Sequence, residues 1–386
     1  MKKVRLGVLG VGPRLQSLVD CYSAHPQVEF VAFGDIAKNR AQEVATRYNA
    51  TYGGAAKAYI CYEDMMRDAT MDALIIGIDP DKQVDYAVDA MNRGLHVMTE
   101  VPAAYTIQQC WDLVKTVKKT GVKYMLAEQT RYWNFVQEWR KMAQAGEFGK
   151  IFYAEGEYLH YEPVWDLLRD KETNYAVYPK SVEEMNDPNC VPSWRYYNFQ
   201  QPIFYLPHEL SPLLSITGGR IAKVSCIGTR RGGYDTPSFD VCDLQTALMY
   251  NTNDAIFSLR AGFTVPYGDK GELFAHWYQI KGSKGSAETA RSNLEGDGMK
   301  LFRAGEGWEK KDWGTADQNA PEYIRNSLHG GADFYPIMHF IDAIIHDTTP
   351  TMDVYKAVEC AAPAIMAAES AQKGGILLEV PDFREE

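Results

Sequence analysis

Two glycines and an aspartate carry the first chemical signal. Gly10-Val11-Gly12 stands between an apolar run, Val4–Leu9, and a segment of helical character, and Asp35 follows the second apolar run, Val28–Phe33. In such an arrangement the first glycine makes a tight turn, and the second lets the backbone approach a pyrophosphate held at a helix N-terminus. Where the third glycine of this pattern is expected the chain has Leu15, which calls close packing of that helix on its strand into question. Asp35 would accept hydrogen bonds from ribose hydroxyls and repel a 2′-phosphate, favouring NAD over NADP. Lys38 and Arg40 stand near enough to weaken that preference, or are a solvated helix face. Arg14 is read either against the pyrophosphate or as an exposed side chain. Asp79, Glu100 and Pro102, which follow later apolar runs, complete the expected cofactor contacts together with Glu128.

Strands must position these residues. The first ~128 residues alternate short apolar runs with helical periodicity, the pattern of βαβ units around a parallel sheet covered on both faces. The expected strands are Val4–Leu9, Val28–Phe33, Ala73–Ile78, His96–Thr99 and Lys123–Leu126. Thr106 and Gln109 form a capping box ahead of a stripe of Ile107, Cys110, Trp111, Val114 and Val117, and Gly121 stops that helix. Beyond residue 145, Ile151–His160 alternates in strand fashion. The runs Ile221–Gly228, Leu244–Tyr250, Ala255–Phe263 and Phe274–Ile280 are separated by turn residues rather than helices. They predict an open, mainly antiparallel sheet in an α+β domain, closed by helices over Phe334–Ile345 and Val354–Gln372. The aromatic and proline-rich excursion at 162–200 is expected to act as a lid. The fold class is therefore α/β: a Rossmann domain over 1–128 and an α+β domain over 129–386.

Composition agrees. A chain of 386 residues suits two domains, and 46% hydrophobic with 24% charged residues is ordinary for a globular protein. A net charge of −11 argues against a nucleic-acid backbone as partner. The seven cysteines are scattered, with no C-x-x-C pair, so neither a metal knuckle nor a disulfide framework is encoded, and a reducing cytoplasm is expected. The Lys2-Lys3 start followed by an apolar run is broken by Arg5, glycines and Pro13-Arg14, unlike a secretory signal, and no run is long enough to span a membrane.

Gly94-Leu-His-Val-Met-Thr-Glu-Val-Pro102 resembles the Glu-Lys-Pro signature of the glucose–fructose oxidoreductase/inositol dehydrogenase (Gfo/Idh/MocA) family. Two departures stand out. The signature lysine is Val101, which can do no proton chemistry, and Phe204 replaces the carboxylate four residues before His208. Glu128 in Ala-Glu-Gln-Thr-Arg-Tyr, the run Glu155-Gly-Glu-Tyr-Leu-His160, Tyr205-Leu-Pro-His208, His329-Gly-Gly-Ala-Asp333 and Met352-Asp-Val-Tyr355 are similar to the NAD-dependent α-N-acetylgalactosaminidases within that family. The resemblance implies NAD as cofactor and a sugar or glycoside as substrate. It also implies hydride transfer at sugar C3, elimination across C2 and C1, hydration and hydride return. It places Glu128, Tyr158, His160 and His208 at the site, with a further tyrosine for which Tyr278 is a guess. Tyr158 and His160 alternate on one strand and so share a face. His208 is expected to handle the C3 hydroxyl proton and Tyr158 the C2 proton, with His160 assisting. Read without the resemblance, a Tyr-x-His pair is a cross-strand contact, Glu128 a helix cap and His329 a turn residue.

Two other functions fit the same residues: a simple NAD(P)-dependent sugar or polyol dehydrogenase, and an NAD-binding regulatory protein that has lost turnover with the lysine. Related proteins are commonly oligomers, so a homodimer or homotetramer is expected.

Overall fold

The computed structural model describes residues 3–37, 39–161, 168–177, 182–193, 201–229, 242–265, 274–291 and 297–385. Lys38 and the aromatic residues of 162–165 and 194–200 lie outside them. The first sheet has six parallel strands: β1 (Val4–Leu9), β2 (Val28–Gly34), β3 (Lys57–Tyr59), β4 (Ala73–Ile76), β5 (His96–Thr99) and β6 (Tyr124–Leu126), in the order β3-β2-β1-β4-β5-β6. Helices α1 (Pro13–Tyr22), α2 (Arg40–Tyr52), α3 (Tyr62–Asp68), α4 (Pro80–Asn92) and α5 (Ile107–Thr120) connect them. The central strands are buried along nearly their whole length, as a sheet covered on both faces requires. Strand β3 was not visible in the sequence, because its three residues include an exposed lysine and no fully buried side chain. Glu128 therefore follows the sixth strand, not the fifth.

Several local expectations hold. Thr106 and Gln109 close the capping box of α5, and Gly121 ends it in a left-handed conformation at φ 70°. The α5 stripe is shifted, however: Cys110, Leu113 and Val114 are buried, whereas Ile107, Trp111 and Val117 are half-buried. The strand expected over Ala73–Ile78 stops at Ile76, and the reason resolves the question of Leu15. A Cβ placed on Gly77 would fall 2.2 Å from Leu15 Cδ2. The residue without a side chain has moved from the helix to the neighbouring strand end, and α1 packs closely all the same.

The second sheet has nine strands, in the order β17-β16-β15-β14-β7-β13-β12-β11-β18. They are β7 (Ile151–His160), β11 (Ile221–Gly228), β12 (Leu244–Asn251), β13 (Ala255–Gly262), β14 (Phe274–Gly282), β15 (Gly285–Glu288), β16 (Met299–Arg303), β17 (Gly307–Lys311) and β18 (Leu378–Glu379). All pairings are antiparallel except β13 with β7. One face carries α6 (Asn134–Gln144), whose Phe135, Val136 and Trp139 are buried, and further helices follow later in the chain. Of the excursion, β8 (Leu168–Asp170), β9 (Ala176–Val177), a single helical turn α7 (Val182–Met185) and β10 (Cys190–Pro192) are described. The three strands form a small sheet of their own. Helix α8 (Pro207–Thr217) lies on β7, and the chain closes with α9 (Glu322–Arg325), α10 (Phe334–Ile345) and α11 (Val354–Gln372). Among the described residues no helix is long and apolar enough to cross a membrane.

Candidate active site

The turn after β1 is shaped for a dinucleotide. Gly10 has φ +84°, and a Cβ there would lie 2.3 Å from the Gly77 carbonyl oxygen, so glycine is required twice over. Around Gly12 a Cβ would meet nothing within 4 Å, which leaves the backbone at the N-terminus of α1 open to a ligand. Asp35 is buried at the end of β2, where its carboxylate accepts the Val11 N–H at 2.8 Å and the Ala37 N–H at 2.7 Å. Arg40 approaches the same carboxylate at 3.5 Å. Asp79 stands at the residue before α4, and Gln83 donates to the carbonyls of Glu100 and Pro102, holding the Glu100-Val101-Pro102 segment against that helix. Val101 packs against the core. This cradle fits NAD: the open backbone would take the pyrophosphate and Asp35 a ribose.

The described part of the excursion lies over this nucleotide end. Arg169 reaches Asp79 at 3.4 Å, Tyr175 donates to Glu43 at 2.9 Å, and the Arg40 guanidinium sits 4.4 Å from the centre of the Tyr175 ring.

A second set of residues gathers beside the strand ends. Tyr158, on β7, is surrounded by rings: His160 at 4.3 Å, His208 at 5.2 Å, Tyr205 at 5.5 Å and His276 at 5.1 Å between centroids. Tyr158 and His160 do share a face. His208, in the first turn of α8, has its Nδ1 2.8 Å from Oε2 of Glu128, which is fully buried. The other Glu128 oxygen accepts from the Thr130 N–H at 2.8 Å and is 2.6 Å from the Thr130 hydroxyl. At this distance the pair is in contact without the alignment of a hydrogen bond; a carboxylate that accepts from Nδ1–H would make Nε2 the proton acceptor of the ring. A carboxylate, Glu128, thus stands beside His208 although position 204 has none; Phe204 stacks on Tyr105. Glu128, expected among the cofactor contacts, has its oxygens beside His208 and Thr130.

Arg14 is neither exposed nor free to serve a pyrophosphate alone. It makes two hydrogen bonds, of 2.8 and 2.9 Å, to Asp333 at the start of α10, and its Nε lies 3.7 Å from Glu100. Burial would lower the Arg14 pKa, but Glu100 and Asp333 raise it above the ordinary value. Burial pushes the Glu100 carboxyl up, with the Arg14 charge opposing. Burial also acts against ionisation of Asp333, yet the His329 hydrogen bond and the Arg14 charge hold it well below the usual range. His329 has φ +51°, places Nδ1 3.0 Å from Asp333, and accepts at its carbonyl from the Trp133 indole. It is both a turn residue and a polar link.

Two residues were missed. Glu209, next to His208, is fully buried, and His276 on β14, only partly exposed, pairs with it at 2.7 Å. Tyr278, the guessed tyrosine, has a buried hydroxyl that donates to the His208 carbonyl at 3.0 Å and lies 3.3 Å from Glu209. The signal that could have found Glu209 is a lone carboxylate in the run Leu206–Ile216, which holds no other charged side chain, since carboxylates are seldom fully buried without a partner.

Residues 4–128 match the family model described as "Oxidoreductase family, NAD-binding Rossmann fold", GFO_IDH_MocA. These residues are therefore an NAD-binding domain of the Gfo/Idh/MocA oxidoreductase type, and the chain is an NAD-dependent enzyme. Its second half carries a further assignment: residues 239–386 match the "Glycosyl hydrolase 109, C-terminal domain". Curated relatives span almost the whole chain. A glycosyl hydrolase family 109 protein of Phocaeicola vulgatus is 26% identical, over 99% of this chain and 78% of its own length. An alpha-N-acetylgalactosaminidase of Tannerella forsythia is 25% identical, over 98% of this chain and 86% of its own. Among solved structures, a levoglucosan dehydrogenase in complex with NADH and L-sorbose superposes with a TM-score of 0.77 at 17% identity, covering 99% and 100% of the two chains. An Agrobacterium radiobacter oxidoreductase with NAD+, L-tartaric acid and magnesium gives 0.74 at 14% identity, covering 98% of each. These likenesses show the shared fold.

Proposed function

We propose that this enzyme acts on a sugar or glycoside by reversible oxidation at C3, coupled to elimination of the anomeric substituent. The observation that carries the reading is the Glu128–His208 pair set beside Tyr158 and His160, a proton-handling group that needs no lysine at position 101. When bound, NAD supplies a carbon that accepts hydride from C3 and later gives it back. His208, its Nδ1 turning to donate to the adjacent Glu128, takes the C3 hydroxyl proton on Nε2. The C3 carbonyl then acidifies C2–H, and Tyr158 receives that proton. The C1–O bond breaks with its electron pair leaving on oxygen, and His160 supplies the proton that this oxygen needs. Water adds at C1 of the enone as it gives a proton back to His160, C2 is reprotonated by Tyr158, and His208 returns its proton as C3 is reduced. Atoms and electrons balance as a net hydrolysis.

The relatives named as family 109 glycosidases support hydrolysis as the net outcome. The superposition on a sugar dehydrogenase favours net oxidation as the second reading. In either case residues 1–128 serve as the cofactor unit and 129–386 as the substrate and oligomer unit, in a cytoplasmic homodimer or homotetramer. A surface with a net charge of −11 suits small neutral substrates better than nucleic acid. The test is a glycoside panel with mass-spectrometric detection of 3-keto sugars, with and without added NAD. Cleavage without NADH build-up, and solvent deuterium at C2 of the product, support the hydrolytic cycle. NADH accumulating at 340 nm with no cleavage supports the dehydrogenase. Neither signal with any sugar would overturn both.

A further inference from the structure

The Glu209–His276 pair does not belong to the proton path just described, yet it stands against it. Glu209 has no side-chain exposure, and its Oε1 is 2.7 Å from His276 Nδ1. Its other oxygen is buried with no hydrogen-bond partner among the described residues. Room for this carboxyl on the sheet exists only because β7 has Gly156 beneath it: a Cβ there would lie 2.9 Å from Glu209 Cβ and Cγ. The His276 ring meets Tyr158 edge-on, at 5.1 Å and 76°, and is backed by Trp133 at 5.1 Å and 79°. No arginine or lysine pairs with Glu209 among the described residues.

We infer that Glu209 is a protonated carboxyl that donates to Nδ1 of His276, and that the two form a positioning pair holding a neutral, Nε2-protonated imidazole edge-on to Tyr158. The inference rests on the proposed role of Tyr158. A fully ionised carboxylate here would lack compensating charge, whereas a carboxylic acid donating to a neutral ring joins the two groups without charge separation. Titratable neighbours agree. His276 faces Tyr278 from its own strand, Tyr158 and His160 from β7, His208 and Glu209 from α8, and His329 from the loop before α10. Burial pushes its imidazole well below the ordinary value, and His160, His208 and His329 act in the same direction. Burial pushes Glu209 well above the ordinary value, with Glu128 and Glu157 adding repulsion. The consequence is a phenol whose surroundings on this side keep one charge state while His208 and His160 gain and lose protons.

The test reads the full-length protein by long-range proton–nitrogen NMR of 15N-histidine samples between pH 5.5 and 8, with H276Q used to assign the ring. The expected result is a neutral His276 protonated on Nε2 throughout, kept in E209Q, whose amide also donates, and lost in E209L. A His276 that becomes imidazolium in this range, or carries its proton on Nδ1, overturns the inference. Kinetically, E209L should lose at least tenfold in kcat with KM within threefold, and E209Q should recover most of that loss. Equal losses in both variants overturn it as well. The NMR reading needs no substrate, so an enzyme inactive on every glycoside would defeat the proposed function while leaving this pair standing.

Discussion

Replacing Glu128 by glutamine tests the core of the site. Its Oε1 serves the Thr130 N–H and lies against the Thr130 hydroxyl, while Oε2 lies 2.8 Å from His208 Nδ1, ready to accept from it. Glutamine has one acceptor oxygen and one donor nitrogen, so no orientation satisfies all of them. If the amide oxygen stays on Thr130, its N–H groups face His208 and drive the imidazole proton to Nε2, where the ring can no longer accept the substrate proton. If the amide flips, its donors meet the Thr130 N–H in a buried place. Loss of a charge-assisted hydrogen bond costs about 1.5–3 kcal/mol, or roughly 10- to 150-fold in rate. A reversed tautomer costs more, about 10⁴-fold in the comparable Ser-His-Asp arrangement. Rapid mixing of the NAD-loaded E128Q enzyme with substrate, followed at 340 nm in a single turnover, should show NADH forming at least ~30-fold more slowly than in wild type. NAD affinity, read by fluorescence titration, should change far less. An unchanged rate with a weakened NAD affinity would refute the pairing and return Glu128 to the cofactor contacts.

Other perturbations have equally defined outcomes. Asp333→Asn leaves Arg14 without its bidentate partner and should cost about 3–5 kcal/mol in denaturant unfolding. In the wild type, Asp333 has a folded pKa below its unfolded value of ~3.9, so its contribution is complete above that pH and should be lost as acid titrates it below about pH 4. Glu209 has the opposite sign: its folded pKa is raised, so stability should fall as pH rises above ~4.3, by up to about 1.4 kcal/mol per unit. E209Q should flatten that slope in thermal melts from pH 5 to 8. Gly77→Ala should destabilise by about 1–3 kcal/mol through its clash with Leu15, and less in a Leu15→Ala background, where the clashing atoms are gone. Asp35→Ala should weaken NAD about 10- to 100-fold while NADP loses much less, which coenzyme titration would detect.

Local signals carried most of the fold. Capping residues, turn glycines and apolar runs act over a few residues, so α5, β7 and the central parallel strands were legible from neighbouring side chains. β3 was not, because an edge strand of three residues with little burial leaves no periodic trace. The site was legible where two residues share a strand, as Tyr158 and His160 do. It was not where partners come from distant elements: nothing near Glu128 announces His208, and nothing near Arg14 announces Asp333. His276 lay hidden in an aromatic run, His276-Trp277-Tyr278, whose plainest explanation is core packing. Leu15 looked like a defect because its compensation, Gly77, sits on another strand.

The middle position of β7, hydrogen-bonded on one side to β13 in parallel and on the other to β14 antiparallel, has a consequence for how this protein can change. Alternation along that strand puts Gly156, Tyr158 and His160 on one side and Glu155 and Glu157, tied to Arg260, on the other. Substitutions along β7 can be absorbed one at a time, but inserting or deleting a single residue would slide the ladder by one step. Such a slip would exchange the two sides, carrying carboxylates to the side of His208 and His276 and the phenol to the arginine. Variation in the length of this chain should therefore be found in its loops, and none of it between Ile151 and His160.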